Sequence, residues 1–158
     1  NRVVWGQEVQ REYGRCCRSQ NPSTLVVFDI DNLKQINAAY GHKTGDEVLK
    51  IVSDSLRQTM RQTDMPCRFG GDMFAILLVD TSEVNASRFA ERIRKAIEVL
   101  DIRTQEQQLR VTASIGVAEF SNTFANETDW IHATNKALLH GKQLGGDQVT
   151  LYHSKALQ

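Results

Sequence analysis

The chain has 158 residues, 41% hydrophobic and 24% charged, with 19 basic and 19 acidic side chains in formal balance. That length suits one domain with a real core, and the charge balance gives no sign of a polyanion-binding surface, so no nucleic-acid partner is expected and any phosphate binding has to be local. No apolar run approaches a membrane span, no signal peptide is visible, and Cys16, Cys17 and Cys67 fit neither a disulfide framework nor a zinc pattern, which points to a reducing cytoplasm without membrane contact by this domain.

Trp5, Val9, Tyr13, Cys16 and Cys17 recur at helical spacing, and Asn21-Pro22-Ser23 closes that first helix. Residues 24–28 form a β-branched and apolar run, read as a buried strand that delivers Asp29 and Asp31 at its C-terminal end, the edge that ligands favour in α/β sheets. A helix start follows at Asn32-Leu33-Lys34-Gln35-Ile36-Asn37. Residues 44–61 carry Val48, Leu49, Val52, Leu56 and Met60 on one helical face, and Pro66 stops any continuation. A hairpin comes next, in which Gly70 and Gly71 supply the tight turn, Asp72 stands at its tip, and residues 73–79 leave as a buried strand. Residues 83–100 repeat the helical pattern, 109–117 read as a strand, 129–142 as a last helix and 149–152 as a last strand. The order predicts an α/β fold with a central, largely antiparallel β-sheet flanked by helices. Residues 1–158 read as a single domain excised from a longer protein, because the chain begins abruptly at Asn1-Arg2.

Several residue groups carry chemistry, each with a plainer reading beside it. Asp29 and Asp31 face one side of a regular strand and can share a cation, although an acidic pair after a strand is more often a helix cap. The backbone N–H groups after Asn32 can cradle phosphates with Lys34 adding charge, whereas a lysine there is usually just solvated. Asp46 reads by itself as an acidic first-turn residue. Arg61 and Asp64 read as an ion pair at a helix end, worth a few tenths of a kcal/mol.

The segment Arg68-Phe69-Gly70-Gly71-Asp72-Met73-Phe74, with Phe28-Asp29-Ile30-Asp31 upstream and Ser114-Ile115-Gly116-Val117-Ala118 downstream, resembles the signature of the GGDEF family, the diguanylate cyclase domains. The resemblance runs to about Val149 and implies a palm-like architecture shared with class III nucleotide cyclases. It implies Mg²⁺ held by Asp29 and Asp72 with the Ile30 carbonyl assisting, and catalytic roles at Asp72, at the position of Met73 and at Lys34. It implies GTP with its guanine read by Asn37 and Asp46 and its phosphates met by Lys34, Lys142, Gly70 and Gly71. It also implies an effector site for cyclic di-GMP at Arg61 and Asp64 with Arg92, the Arg reading the guanine O6 and N7 edge and the Asp the opposite N–H edge.

The chain departs from that pattern where chemistry is done. Met73 stands where the family has a glutamate, and a thioether can neither support a cation nor take a proton. Gly146 replaces the family's arginine, Thr134 its aspartate and Leu139 its tyrosine, so Lys142 is left without a bidentate partner at the triphosphate. The expected function is a degenerate GGDEF domain, a cyclic di-GMP-binding receptor or regulatory module of bacterial second-messenger signalling with little or no cyclase activity. The alternatives are an active cyclase that condenses two GTP into cyclic di-GMP and pyrophosphate, or a dimerisation module with vestigial sites. A homodimer or attached domains are the expected partners, and the setting is the cytoplasm, including the cytoplasmic part of a membrane-anchored sensor.

Overall fold

A computed structural model describes residues 2–69, 73–104 and 107–153. In chain order it contains α1 (Arg2–Ser19), β1 (Thr24–Ile30), α2 (Leu33–Tyr40), α3 (His42–Arg57), β2 (Met65–Phe69), β3 (Met73–Leu78), α4 (Glu83–Glu98), β4 (Ile102–Arg103), β5 (Gln108–Leu109), β6 (Ala113–Glu119), α5 (Glu127–Gln143) and β7 (Val149–Leu151). Five strands form one sheet in the order β2-β3-β1-β6-β7, and β4 and β5 pair as a separate ribbon. Within the main sheet only β6 and β7 run parallel. None of the described helices is long and apolar enough to cross a membrane.

All seven residues of β1 are buried because helices cover both faces of the sheet, which explains a continuous apolar run where a half-exposed strand would alternate. Period-two geometry then sorts the side chains. Val26, Phe28 and Ile30 join Phe74, Ile76, Ile115 and residues of α3 and α4 in one core, while Leu25 and Val27 join Leu77, Ala118 and residues of α1 and α5 in the other. Phe28 and Phe74 are register partners and stack with centroids 4.8 Å apart. Opposite them, α5 lies directly on β6: a Cβ built at Gly116 would come 2.5 Å from both Leu138 N and Thr134 O. Ser82 and Asn126 cap α4 and α5 by accepting from Asn85 N and Asp129 N.

Two boundaries and one buried position differ from those expected. The helix predicted to Arg61 ends at Arg57, because Gln58 and Thr59 turn their N–H groups back to Ser55 and Leu56, so Arg61 and Asp64 sit in a turn before β2. The strand predicted over residues 109–117 is two pieces, with Leu109 pairing Ile102 in the ribbon and the main ladder resuming at Ala113. Cys17 is exposed, and it is Glu12, a charged residue, that occupies the buried stripe of α1 beside Val9 and Cys16.

Candidate functional site

The C-terminal end of β1 brings Asp29, Ile30 and Asp31 to the sheet edge, where alternation aims both carboxylates toward α5 and the loop after it. They meet different partners there. Asp29 Oδ2 is 2.6 Å from Lys142 Nζ, with both side chains mostly removed from solvent. Asp31 instead accepts from Thr112 Oγ1 and Ser114 Oγ, each at 2.7 Å, and from Asp147 N at 2.9 Å. Three donors thus tie Asp31 to β6 and to the loop after α5, whereas the Asp29 carboxylate is turned to Lys142. The loop is held a second time where Arg94 Nη1 meets Asp147 Oδ1 at 2.9 Å. Gly146, at φ +75°, passes so close to Asp31 that an added Cβ would lie 3.1 Å from its Oδ2.

A cleft of about 400 Å³ opens beside this edge, lined by Ile30, Asn32, Lys34, Lys142, Gly145 and Gly146 among others. Asn32 enters α2 at φ 61° without a side-chain capping bond, so no side chain of its own covers the helix N-terminus that faces the cleft. Further along α2, Asn37 Oδ1 is buried without a hydrogen-bond partner among the described residues and presses on Gly45 at the start of α3. Asp46 follows Gly45 and is exposed. Asn37 and Asp46 thus lie on facing elements, and Lys34 and Lys142 share the cleft.

Gly70, Gly71 and Asp72 lie outside the described residues. Met73 opens β3 as the register partner of Asp29 and packs, partly buried, against the core under α1 and α5. For a hard cation the described residues offer the Asp29 carboxylate and the adjoining Ile30 carbonyl, a donor chemistry that fits Mg²⁺. No group of three His, Cys, Asp or Glu side chains converges among the described residues.

The second group surrounds Arg61. Asp64 is buried and accepts from Arg61 N at 2.9 Å through Oδ2, and from Arg61 Nε and Nη2 at 3.3 and 3.1 Å through Oδ1. Arg61 Nη2 also donates to Thr81 Oγ1 at 3.0 Å, while the arginine side chain remains 59% exposed. Arg92 lies nearly three turns into α4, roughly 15 Å along the axis from Ser82, exposed and with its guanidinium 5.7 Å from the Phe89 ring centroid. Among the described residues no hydrogen bond or ion pair joins Arg92 to Arg61 or Asp64. Thr81, Arg94 and Asp147 escaped sequence reasoning because each acts across a long chain separation; the polar Glu12 inside an apolar stripe was the one visible signal of its kind.

Comparison with known proteins gives a consistent answer. The family model described as "Diguanylate cyclase, GGDEF domain" matches residues 1–148. Diguanylate cyclase DgcP of Pseudomonas aeruginosa is 36% identical over 149 residues, covering 94% of this chain and 22% of that protein. Diguanylate cyclase A of Treponema denticola is 37% identical over 128 residues, 81% of this chain and 34% of that protein. The chain therefore spans between about a fifth and about a third of the length of these curated relatives. Among solved structures, the active GGEEF domain of a diguanylate cyclase from Vibrio cholerae is 27% identical with a TM-score of 0.89, covering 98% of this chain and 97% of that one. The GGDEF domain of DgcB from Caulobacter crescentus, in complex with c-di-GMP, is 25% identical with a TM-score of 0.89 over 98% of this chain and 91% of that one. With fold, strand-end carboxylates and a family match across nearly its whole length in agreement, the chain belongs to the GGDEF family of diguanylate cyclase domains.

Proposed function

We propose that this domain is a cyclic di-GMP receptor or regulatory module that recognises the nucleotide at Arg61, Asp64 and Arg92 and has little or no cyclase activity. The observation that carries this reading is the pose of Arg61: a half-exposed guanidinium oriented at the surface by a buried carboxylate and by Thr81. Guanine offers the matching O6 and N7 acceptors. The likeness to the DgcB domain, whose structure holds c-di-GMP, supports the ligand class.

The edge of β1 supports a second, weaker site for GTP. Asp29 and Ile30, with Asp72, would hold Mg²⁺; Asn37 and Asp46 would read the base; Lys34, Lys142, Gly70 and Gly71 would meet the phosphates. Bound Mg²⁺ would supply charge neutralisation at the phosphates. What argues against turnover is local: Met73 packs as an apolar side chain where the reaction needs a carboxylate, and Gly146 brings no guanidinium to the cleft. The relatives named diguanylate cyclases favour the rival reading of an active enzyme.

Calorimetry with cyclic di-GMP tests the proposal. Arg61→Ala is expected to weaken binding roughly tenfold to hundredfold, the worth of one bidentate guanine contact. Unchanged affinity in that variant, with loss in Asp29→Ala instead, would return the ligand to the cleft beside β1.

A further inference from the structure

We infer that the turn over residues 79–82 couples the Arg61–Asp64 pair to helix α1. The turn is clamped from two sides. On one side Arg61 Nη2 donates to Thr81 Oγ1 at 3.0 Å, and Thr81 Oγ1 donates to Val79 O at 2.9 Å. On the other, Arg15 Nη2 donates to Asp80 Oδ1 at 2.7 Å and Asp80 N to Ser23 Oγ at 3.1 Å. Ser23 Oγ passes its own hydrogen to the buried Glu12 Oε2, and Arg15 closes the ring on Glu12 through Nε and Nη2 at 2.8 and 2.6 Å. Between these contacts Asp80 sits at φ 51°, a left-handed conformation that aspartate adopts more readily than most residues other than glycine.

The coupling follows from counting donors. A guanidinium has five N–H groups, one on Nε and two on each Nη. Arg61 gives Nε and one Nη2 hydrogen to Asp64 Oδ1, and the other Nη2 hydrogen to Thr81. A ligand that takes Arg61 through the parallel Nη1 and Nη2 fork must therefore displace Thr81. The turn then loses the Arg61 clamp and keeps Arg15 and Ser23 at Asp80, together with Thr24 Oγ1, which donates to Thr81 O at 2.7 Å. Ligand at Arg61 thus loosens the contact between the turn and α1, and by linkage a weakened α1 clamp favours the ligand by the same factor. The nucleotide half of this statement rests on the reading that cyclic di-GMP is taken at Arg61; the coupling between turn and helix does not.

Hydrogen exchange on the ligand-free protein decides the coupling. Thr81→Val removes the acceptor at nearly constant volume, and both it and Arg61→Ala are expected to speed exchange about tenfold at the Asp80 amide and at the Gln20 amide, which closes α1 on Cys16 O. Unchanged exchange at Gln20 in both variants overturns the coupling whether or not a nucleotide binds. Titration with cyclic di-GMP gives the reciprocal measurement: Arg15→Ala should bind about fivefold more tightly, while Arg11→Ala, which removes only a solvent-exposed pair with Glu8, should match the unaltered protein. Equal affinity in Arg15→Ala, with Arg61→Ala still weakened, overturns the coupling and leaves the effector site standing. An Arg61→Ala variant that binds normally removes the effector site, and the exchange result then decides the coupling by itself.

Discussion

Lys142 Nζ stands 2.6 Å from Asp29 Oδ2, so the carboxylate that would hold a cation and the ammonium that would hold a phosphate neutralise each other across the cleft. Either ligand alone must compete with this pair, whereas cation and nucleotide together replace it on both sides.

Lys142→Met separates these effects. Mn²⁺ alone is expected to bind several-fold more tightly, since the ammonium no longer competes for Asp29, while GTP with Mg²⁺ weakens about tenfold. Titrations of both ligands on the same preparation check this, and an unchanged Mn²⁺ affinity would show that the pair does not guard the cation site.

Cyclase activity should be negligible and should not return with one substitution. GTP and Mg²⁺ incubated with the protein are expected to give no more cyclic di-GMP than an Asp29→Asn control, measured by chromatography. Met73→Glu places a charge against the core under α1 and α5, and Gly146→Arg forces φ +75° on a residue whose Cβ approaches the Asp31 carboxylate. Each should lower stability by about 1–2 kcal/mol, so restoring the family's side chains in isolation disturbs their surroundings before it restores chemistry. Steady product formation by the unaltered protein would overturn the receptor reading.

The sheet and its helices were legible because apolar periodicity is strong: the runs through Phe28, Phe74 and Val117 and the stripes of α3, α4 and α5 carry their burial on the surface of the sequence. Local spacing failed where hydrogen bonds rather than burial set the ends. Nothing in residues 58–61 breaks a helical pattern, yet α3 stops at Arg57 because the chain turns back on Ser55 and Leu56. Asp31 and Asp29 point the same way, and the hydrogen bonds that Asp31 accepts from the distant Thr112, Ser114 and Asp147 could not be read from spacing. Long-range partners of that kind leave no periodicity to read.

Gly116 should not tolerate even a methyl group. A methyl group there meets backbone atoms of α5 at 2.5 Å, and neither Leu138 N nor Thr134 O can swing aside as a side chain would. Gly116→Ala is therefore expected to cost about 2–3 kcal/mol by lifting α5 from β6. Urea unfolding measures it, and a cost below about 0.5 kcal/mol would mean that the helix shifts without penalty.

Glu12 gives the fold an acid-sensitive joint. Burial by itself would raise this carboxyl, but hydrogen bonds from Arg15 and Ser23 outweigh burial and hold it below its ordinary value of 4.5. A carboxyl whose folded value is depressed contributes stability that is complete above its unfolded value and disappears as the pH falls through the folded one. The Glu12 contribution should therefore be full at pH 6 to 7 and fade below about pH 4.5, as protonation removes the acceptor that Arg15 and Ser23 share. Glu12→Gln keeps the shape and removes the charge, so at neutral pH it should cost about 1.5–3 kcal/mol, the usual worth of charge-assisted hydrogen bonds, and the gap to the unaltered protein should close on acidification. Urea midpoints of both proteins from pH 7 down to pH 3.5 test the idea. A gap that stays constant across that range would assign the acid sensitivity to other carboxylates and leave Glu12 a merely steric member of α1.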